Sequence, residues 1–350
     1  KAVAASTEDG SITIGTSEKD GTVEAGTTAT LTTARGPIAV HGLVTAKHGA
    51  KLQATEFGDI SVEGDLLATE NGNAEALSQD GNIEIQGRVE SKTGEATVKT
   101  QHGDVNVGGL MKAGTDITAE SADGSVTVGG RLTSDKATLV KATNGNVALH
   151  GDVQSGTSTT AEATNGSVSI TGDVTSGTSS ELMAMDGSVD VTGNISSGTF
   201  TQAKADRGNI SIDGDVTSGS YTKAEAVKGS IDITGDVQSG ASANLSASDG
   251  NITVMGNVLS GTSVTAKATE GNVTVDGSLT SKNGDTVLSA SDSQKLADKG
   301  NIHVTGAVDS SSDIQMTTDD GAIAVDGTLK AGKAVAASTE DGSITIGTSE

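Results

Sequence analysis

Residues 145–165 read GNVALHGDVQSGTSTTAEATN, and residues 166–186 read GSVSITGDVTSGTSSELMAMD. Both stretches begin with the motif G-[N/S/D]-[I/V]-x-[I/V]-x-G, with Leu149 as a variant in the first of them. Its apolar positions alternate with polar ones, and a period of two is typical of a strand with one buried face. The two stretches are equal in length and similar in pattern, which indicates that one supersecondary unit has been copied.

The motif recurs along the whole chain. Its first glycine falls at Gly58, Gly81, Gly103, Gly124, Gly145, Gly166, Gly187, Gly208, Gly229, Gly250, Gly271, Gly300 and Gly321, with looser copies at Gly10, Gly36 and Gly342. The steps from Gly103 to Gly271 are all equal, at about 21 residues, whereas several of the other steps are longer. We interpret the longer steps as the same unit with residues inserted at a corner. The surplus residues lie near Thr16–Asp20 and Ser291–Asp298.

Each unit resolves into three short strands. The first strand carries the motif's apolar pair, the second is centred eight residues after the motif glycine, and the third uses small residues such as Ala161 and Ala163. A single coil of this kind has no interior in which to bury its apolar face, so equivalent strands of successive coils must stack. The predicted core therefore includes Val147, Leu149, Val153, Val168, Ile170, Val174, Ile210, Ile212 and Val216.

These observations predict an all-β protein, a right-handed parallel β-helix (β-solenoid) with three short strands per coil of about 21 residues and fifteen to sixteen coils. We expect a single continuous β-solenoid segment over residues 1–350. Each buried Val or Ile contributes about 1.5–3 kcal/mol, so one coil gains several kcal/mol from its neighbours.

Two polar positions recur at the corners of the coils and predict ladders. One is a serine ten residues after the motif glycine, as at Ser155, Ser176, Ser197, Ser218 and Ser239. The other follows the glycine directly and alternates between serine and asparagine, as at Asn209, Asn251 and Asn272. Stacked asparagine side chains hydrogen-bond along such a ladder, so we interpret both sets as structural.

Composition narrows the classes of protein to which the chain can belong. It has 48 glycines among 350 residues, one tyrosine, two phenylalanines, and no tryptophan or cysteine. Large side chains normally fill the core of a globular domain. The prevalence of Ala, Val and Ile in this chain favours a thin, elongated core instead. Because 46 acidic residues oppose 22 lysines and arginines, for a net charge of −24, nucleic acid is not an expected partner. No apolar run is long enough to cross a membrane, so we expect no membrane insertion within this segment.

A longer repeat is superimposed on the short one. Residues 333–350, KAVAASTEDGSITIGTSE, are identical to residues 1–18. The identity indicates either a supermodule of residues 1–332 whose next copy starts at residues 333–350, or a segment built to close on itself. The first interpretation predicts that adjacent copies of the module associate end to end, within one giant chain or between chains.

The glycine-punctuated G-N-I-x-V-x-G units resemble the repeats of filamentous-haemagglutinin-type surface adhesins, which are two-partner-secreted or autotransported fibre proteins. The resemblance covers nearly the whole chain, although the N-terminal secretion domain of that family is not part of it. It implies a right-handed β-helix, an extracellular or cell-surface location, and a role as a stalk or fibre in adhesion, cell-cell contact or matrix formation. Neighbouring filaments and host or cell surfaces are the partners that it implies.

Polysaccharide lyases and hydrolases also use parallel β-helices, so a carbohydrate-active protein is the alternative function. Such sites need convergent carboxylates and usually aromatic platforms, which this chain hardly offers. We therefore expect that the chain is not an enzyme and that it has no catalytic residue and no cofactor.

The histidines show no metal-ligand spacing: His41, His48, His102, His150 and His303. Calcium is an alternative ligand, because four acids recur at equivalent corners, where a divalent cation would relieve the repulsion between like charges: Asp152, Asp173, Asp215 and Asp236.

Overall fold

A computed structural model describes residues 1–16, 18–19, 21–293 and 300–347. The chain divides into two compact units, Lys1–Gly177 and Thr178–Glu350. Within the described residues there is no helix, and every strand pairs in parallel with its equivalents in neighbouring coils. The strands form three parallel sheets of a β-solenoid with about 15 turns of about 21 residues, which confirms the predicted fold class. We name the sheets A, B and C.

Among the described residues of the first unit, each sheet contains eight strands. Sheet A consists of Val3–Asp9, Ala29–Arg35, Ala50–Phe57, Ala74–Asp80, Ala96–His102, Ile117–Ser121, Thr138–Ala142 and Ser158–Ala163. Sheet B consists of Ile12–Ile14, Ile38–Val40, Ile60–Val62, Ile83–Ile85, Val105–Val107, Val126–Val128, Val147–Leu149 and Val168–Thr171. Sheet C consists of Val23–Ala25, Val44–Ala46, Leu66–Ala68, Val89–Ser91, Met111–Ala113, Leu132–Ser134, Val153–Ser155 and Val174–Ser176.

The second unit repeats this arrangement. Its sheet A strands are Ser179–Ala184, Phe200–Ala205, Tyr221–Ala226, Ser242–Ala247, Ser263–Ala268, Thr286–Ala290, Ile314–Thr318 and Val335–Ser338. Its sheet B strands are Val189–Thr192, Ile210–Asp213, Ile231–Ile233, Ile252–Val254, Val273–Val275, Ile302–Val304, Ile323–Val325 and Ile344–Ile346. Its sheet C strands are Ile195–Ser197, Val216–Ser218, Val237–Ser239, Val258–Ser260, Leu279–Ser281, Val308–Ser310 and Leu329–Ala331.

The register of pairing follows the sequence repeat. In sheet B of the first unit Val147 lies opposite Val168, and in the second unit Ile210 lies opposite Ile231, in each case at the same position of the next repeat. Because side chains alternate between the two faces of a strand, this register places each apolar column on one face. The result is a continuous buried core inside each unit.

The motif glycine is required by a close approach between coils. A Cβ atom built on Gly166 would lie 2.2 Å from the carbonyl oxygen of Gly145, one coil earlier, and a Cβ on Gly229 would lie 2.2 Å from that of Gly208. No side chain fits at that distance, even though neither Gly166 nor Gly229 has a positive φ. Glycine therefore recurs here because the corner is tightly stacked.

In the two longest coils, the described residues of the surplus segments lie between strands, at corners. Thr16 and Lys19 form an antiparallel bridge, with N···O distances of 2.9 Å and 3.0 Å, while Ser17 and Asp20 lie outside the described residues. In the second surplus segment the Ser291 hydroxyl donates to the carbonyl oxygen of Thr269 at 2.7 Å. Residues 294–298 of that segment also lie outside the described residues.

Candidate functional site

The position after the motif glycine forms a ladder of side-chain acceptors. In the second unit the Asn209 Oδ1 atom accepts a hydrogen bond from the backbone N–H of Ser230 at 2.9 Å. The Ser230 hydroxyl oxygen accepts from the N–H of Asn251 at 3.1 Å, and Asn251 Oδ1 accepts from the N–H of Asn272 at 2.9 Å. Each side chain therefore bonds the main chain of the next coil.

This geometry differs from the amide-to-amide ladder that the asparagines predict. An amide contact occurs between Asn301 Nδ2 and Asn272 Oδ1 at 3.3 Å, but Asn272 Oδ1 also accepts from the backbone N–H of Asn301 at 2.9 Å. Backbone amides need a partner when strands end at a corner. Serine, asparagine and aspartate all carry a side-chain oxygen that can accept a hydrogen bond from the backbone N–H of the next coil. In the first unit, for example, Asp104 Oδ1 accepts from the N–H of Ser125 at 2.8 Å. This shared chemistry explains why the three residue types interchange at the position.

The corner between sheets B and C repeats the arrangement with aspartates. Asp215 Oδ1 accepts from the N–H of Asp236 at 2.8 Å, and Asp236 Oδ1 accepts from the N–H of Asn257 at 2.7 Å. In the first unit Asp152 Oδ1 accepts from the N–H of Asp173 at 3.2 Å. The acids considered for calcium thus have a structural use, in which a carboxylate accepts a charge-assisted hydrogen bond from the following coil.

A chain of buried hydroxyls runs where sheet C meets sheet A. In the first unit Ser134 and Thr138 are hydrogen-bonded at 2.9 Å, and the Ser155 hydroxyl donates to Thr138 at 2.8 Å. Ser155 and Thr159 then bond at 2.9 Å, and the Ser176 hydroxyl donates to Thr159 at 2.8 Å. All five side chains are buried, and these bonds link successive serines through threonines, whereas in the second unit Ser218 also donates directly to Ser239 at 3.5 Å.

The second unit contains the same chain of hydroxyls. Thr201 donates to Ser197 at 3.0 Å, Ser218 and Thr222 bond at 2.9 Å, and Ser239 donates to Thr222 at 2.8 Å. The sequence interpretation missed the threonines, although a hydroxyl residue stands four positions after the serine in several coils.

The hydroxyl chain stops where that position becomes apolar. Ala243 and Val264 occupy it in the following coils, and both are buried. There the Ser260 hydroxyl donates to the backbone carbonyl of Ala241 instead. The serine thus still finds an acceptor, as a buried hydroxyl requires.

An exposed side-chain ladder lies at the corner between sheets A and B of the first unit. His102 Nδ1 contacts Asp123 Oδ2, the Asn144 amide donates to Asp123 Oδ1 at 2.6 Å, and the Asn165 amide donates to Asn144 Oδ1. The hydrogen bond from Asn144, followed by that from His102, lowers the pKa of the Asp123 carboxyl below its ordinary value. Here the side chains of successive coils bond each other directly, at a position before the motif glycine for which the sequence interpretation predicts no ladder.

Ion pairs on sheet A join neighbouring coils. Lys99 lies opposite Glu120 and Lys141 lies opposite Glu162, with Nζ–carboxylate distances of 2.5 Å and 2.9 Å. The four residues form one column in which the sign of the charge alternates. These pairs lie at the surface with partly buried carboxylates, where one ion pair typically contributes about 0–1 kcal/mol, and the alternation avoids stacking like charges.

The histidines are not brought together. His41 contacts Glu63 at 2.8 Å, His48 contacts Asn71 at 2.8 Å, and His303 contacts Asp326 at 3.2 Å. In the part of the chain that the structure describes, no group of three or more His, Cys, Asp or Glu side chains is placed to hold a metal ion. A helix long and apolar enough to cross a membrane is likewise missing from that part.

An open groove of the first unit, with a volume of about 590 Å³, lies along its corner between sheets A and B. Phe57, half of whose surface is exposed, lines it together with Asp59, Asp80 and His102. Asp59 Oδ1 accepts from the N–H of Asn82 at 2.7 Å, so one of the two carboxylates belongs to a corner ladder.

The predicted site residues fall into three environments. The nine apolar residues of the predicted core are at most 2% exposed, and the five serines are at most 5% exposed. Asn209 and Asn251 are exposed and Asn272 is half-buried. The structure thus places the first two groups inside the coils and the asparagines at a solvent-facing corner.

Comparison of the chain with protein-family models, curated proteins and solved structures gives no match.

Proposed function

We propose that this chain is a structural segment of a large extracellular filamentous protein at a cell surface, where it provides length for adhesion, cell-cell contact or matrix formation. The proposal rests on the hydrogen bonds that the polar side chains at the corners make to the next coil. At corner after corner an Asn, Asp or Ser oxygen binds the backbone of the next coil, as Asn209 binds Ser230. Side chains committed in this way stabilise stacking and are not free to act on a substrate.

The surface charge supports the same role. With a net charge of −24 the chain repels copies of itself side by side, which keeps such segments soluble and separate. Ion pairs between coils, such as Lys141 with Glu162, reduce local repulsion within the segment but leave its net charge unchanged. A surface with this net negative charge is unfavourable for binding nucleic acid and for insertion into a membrane.

The cell-surface location rests on the resemblance of the repeats to filamentous-haemagglutinin-type adhesins. Immunogold electron microscopy of the source cells, with antibodies raised against residues 1–350, tests it. We expect gold particles along filaments outside the cell. Labelling confined to the cell interior would contradict the proposal.

A carbohydrate-active protein is the second candidate, and the groove beside Phe57 is the observation that favours it. An exposed aromatic ring with Asp80 and His102 nearby is a minimal platform for a sugar. The test incubates the purified chain with acidic and neutral polysaccharides and measures new reducing ends. We expect no turnover, and sustained turnover that is lost in Asp80→Asn would replace the structural proposal with an enzymatic one.

A further inference from the structure

Two of the three aromatic residues of the chain stand at the same position of successive coils. Phe200 and Tyr221 begin neighbouring strands of sheet A in the second unit and lie opposite each other on its outer face. Their rings are stacked, with centroids 5.0 Å apart and planes within 2° of parallel. Because neighbouring strands are about 4.8 Å apart, the two rings are one coil spacing from each other. The pair is therefore a short aromatic ladder.

The aromatic ladder has a serine on each side. Ser179 lies opposite Phe200 in the preceding coil, and Ser242 lies opposite Tyr221 in the following coil. Ser179 is only 7% exposed, whereas Ser242 is half-buried and Tyr221 is 37% exposed, so the side beyond Tyr221 is the more open one. Serine is too short to cover a phenol ring. No second ring of the described residues stacks on Tyr221, and its outer face is therefore accessible.

Amide side chains beside the aromatic ladder are not used to join the coils. Gln202 and Asn244 stand two residues after Phe200 and Ser242, so each lies on the same outer face, about 6–7 Å along its strand. Among the described residues neither side chain has a hydrogen-bond partner, in contrast to corner asparagines such as Asn209. An accessible ring face with uncommitted amides nearby suits a sugar, which has an apolar face and a rim of hydroxyl groups.

We propose that the pyranose ring of a neutral polysaccharide binds on the outer face of Tyr221, above Ser242. There it occupies the position that a third ring of the aromatic ladder would have. The C–H face of the sugar covers the phenol ring, and the sugar hydroxyl groups bond the amide of Asn244. The inference rests on the proposed function, because it gives the structural segment an adhesive surface of its own.

Charge distinguishes neutral from acidic polysaccharides as the ligand. Glu181, Gln202, Lys223 and Asn244 form one column across the strands. The cation of this column, Lys223, already pairs with Glu225 at 2.5 Å. The chain as a whole carries a net charge of −24, so a sugar that bears carboxylate or sulfate groups is repelled. A neutral sugar meets no such barrier.

Tyr221 is the only tyrosine of the chain, which makes the site directly measurable. Since the protein has no tryptophan, its tyrosine fluorescence reports on Tyr221 alone. The test titrates the chain with cellohexaose, maltohexaose and chitohexaose, and with hexagalacturonate as the acidic comparison. We expect a saturable change of emission at millimolar concentrations with at least one neutral hexasaccharide, and no change with hexagalacturonate.

Variants locate the binding at the aromatic ladder. Ser242→Phe supplies a third ring from the protein itself, and we expect it to weaken sugar binding at least about tenfold by occupying the sugar's position. Thr217→Phe, which adds the same side chain to the outer face of sheet C, is the matched control and should leave binding unchanged. Asn244→Ala should weaken binding about three- to tenfold, as expected for the loss of one hydrogen bond.

A second variant keeps the test decisive if Ser242→Phe folds poorly. Tyr221→Leu removes the ring on which the sugar stacks, and we expect it to abolish the binding that calorimetry detects in the unaltered chain. Circular dichroism of each variant checks that the strands are intact. Retained binding in folded Tyr221→Leu would overturn the proposal.

The titration itself has outcomes that count against the site. The proposal fails if no neutral hexasaccharide changes the emission, if Ser242→Phe binds as well as the unaltered chain, or if hexagalacturonate binds equally well. Immunogold labelling separates these outcomes from failure of the proposed function. A chain that labels extracellular filaments but binds no neutral sugar would still be a structural segment. Labelling confined to the cell interior would contradict the proposed function whatever the titration gives.

Discussion

At the residue scale, orientation on a strand decides what a position tolerates. Val216 is fully buried, whereas Thr217 beside it on the same strand is exposed. Val216→Asp places a carboxylate in the apolar column between Ile195 and Val237, and we expect it to destabilise the second unit by more than about 3 kcal/mol. Thr217→Asp is the control and should change stability by less than about 0.5 kcal/mol. Urea unfolding followed by circular dichroism measures both, and equal effects would contradict the assigned faces.

The buried hydroxyl chain makes a second residue-scale prediction. Thr159 is hydrogen-bonded to Ser155 and Ser176, and Thr159→Val removes the oxygen that both serines use. We expect a loss of about 1–3 kcal/mol, since buried hydroxyls lose a partner while the volume stays the same. Thr160→Val, the same change on the outer face of the strand, should be nearly neutral in the same unfolding assay. A neutral Thr159→Val would mean that the hydroxyl chain does not stabilise the coil.

The ladder at Asp123 makes a prediction about pH. Its carboxyl has a pKa lowered by Asn144 and His102, so the ionised form stabilises the folded state. That contribution is present above the ordinary aspartate value of 3.8 and is lost as the pH falls through the lower folded pKa. Carbon-13 NMR titration of the Asp123 carboxyl should give a midpoint below the ordinary value, and Asn144→Ala should raise it. Asn165→Ala, which removes a contact to Asn144 only, should shift it much less.

At the element scale, the corner glycines allow the coils to stack closely. Gly166→Ala would place a methyl group 2.2 Å from the carbonyl oxygen of Gly145, so the two coils must separate. We expect a loss of about 1–3 kcal/mol, as for other overpacked sites. Thr164→Ala, which also puts alanine at this corner, should have little effect. Hydrogen exchange of the amides in the two coils measures the local change, and unchanged protection in Gly166→Ala would argue against close stacking.

The strands themselves could be predicted because their signal is periodic. Val147, Val153 and Ala161 stand at fixed distances from Gly145, and each belongs to a different strand of one coil. The parallel register then follows from the constant step between repeats, since only that pairing keeps every apolar column on one face. For this reason the sheet arrangement was predictable from the sequence alone.

The hydrogen-bond partners of the ladders could not be predicted in the same way. A recurring serine indicates a ladder, but Ser155 bonds Thr138 and Thr159, which belong to another sheet. Periodicity reports which residues lie above one another, whereas corner geometry decides which neighbour within or between coils is in reach. For the same reason a column of Asn and Ser predicts side-chain bonds along the ladder, whereas Asn209 binds the backbone N–H of Ser230.

At the scale of the whole molecule, each coil contacts mainly the coils before and after it, so stability is close to a sum of coil and interface terms. The sequence of one coil therefore has to match only its immediate neighbours. The longer coil that contains Thr16 and Lys19 fits this description. These two residues bridge each other at a corner, and the strands stay in register. Length can then change in whole coils without altering the packing inside the rest.

Excision of one coil tests this directly. Deletion of Gly208–Lys228, one complete repeat, joins Arg207 to Gly229 and brings Val189 opposite Ile231 in place of Ile210. We expect a folded protein whose thermal midpoint changes by only a few degrees, because the buried columns of sheets B and C keep neighbours of the same kind, whereas on sheet A Phe200 loses the stacked ring of Tyr221 and faces Ser242. Deletion of Gly208–Ser218, about half a repeat, removes the sheet B and sheet C strands but leaves the sheet A strand, so the coils after it lose register. The shorter deletion should therefore be the more damaging one by thermal unfolding and limited proteolysis, and the opposite order would be incompatible with stacking by whole coils.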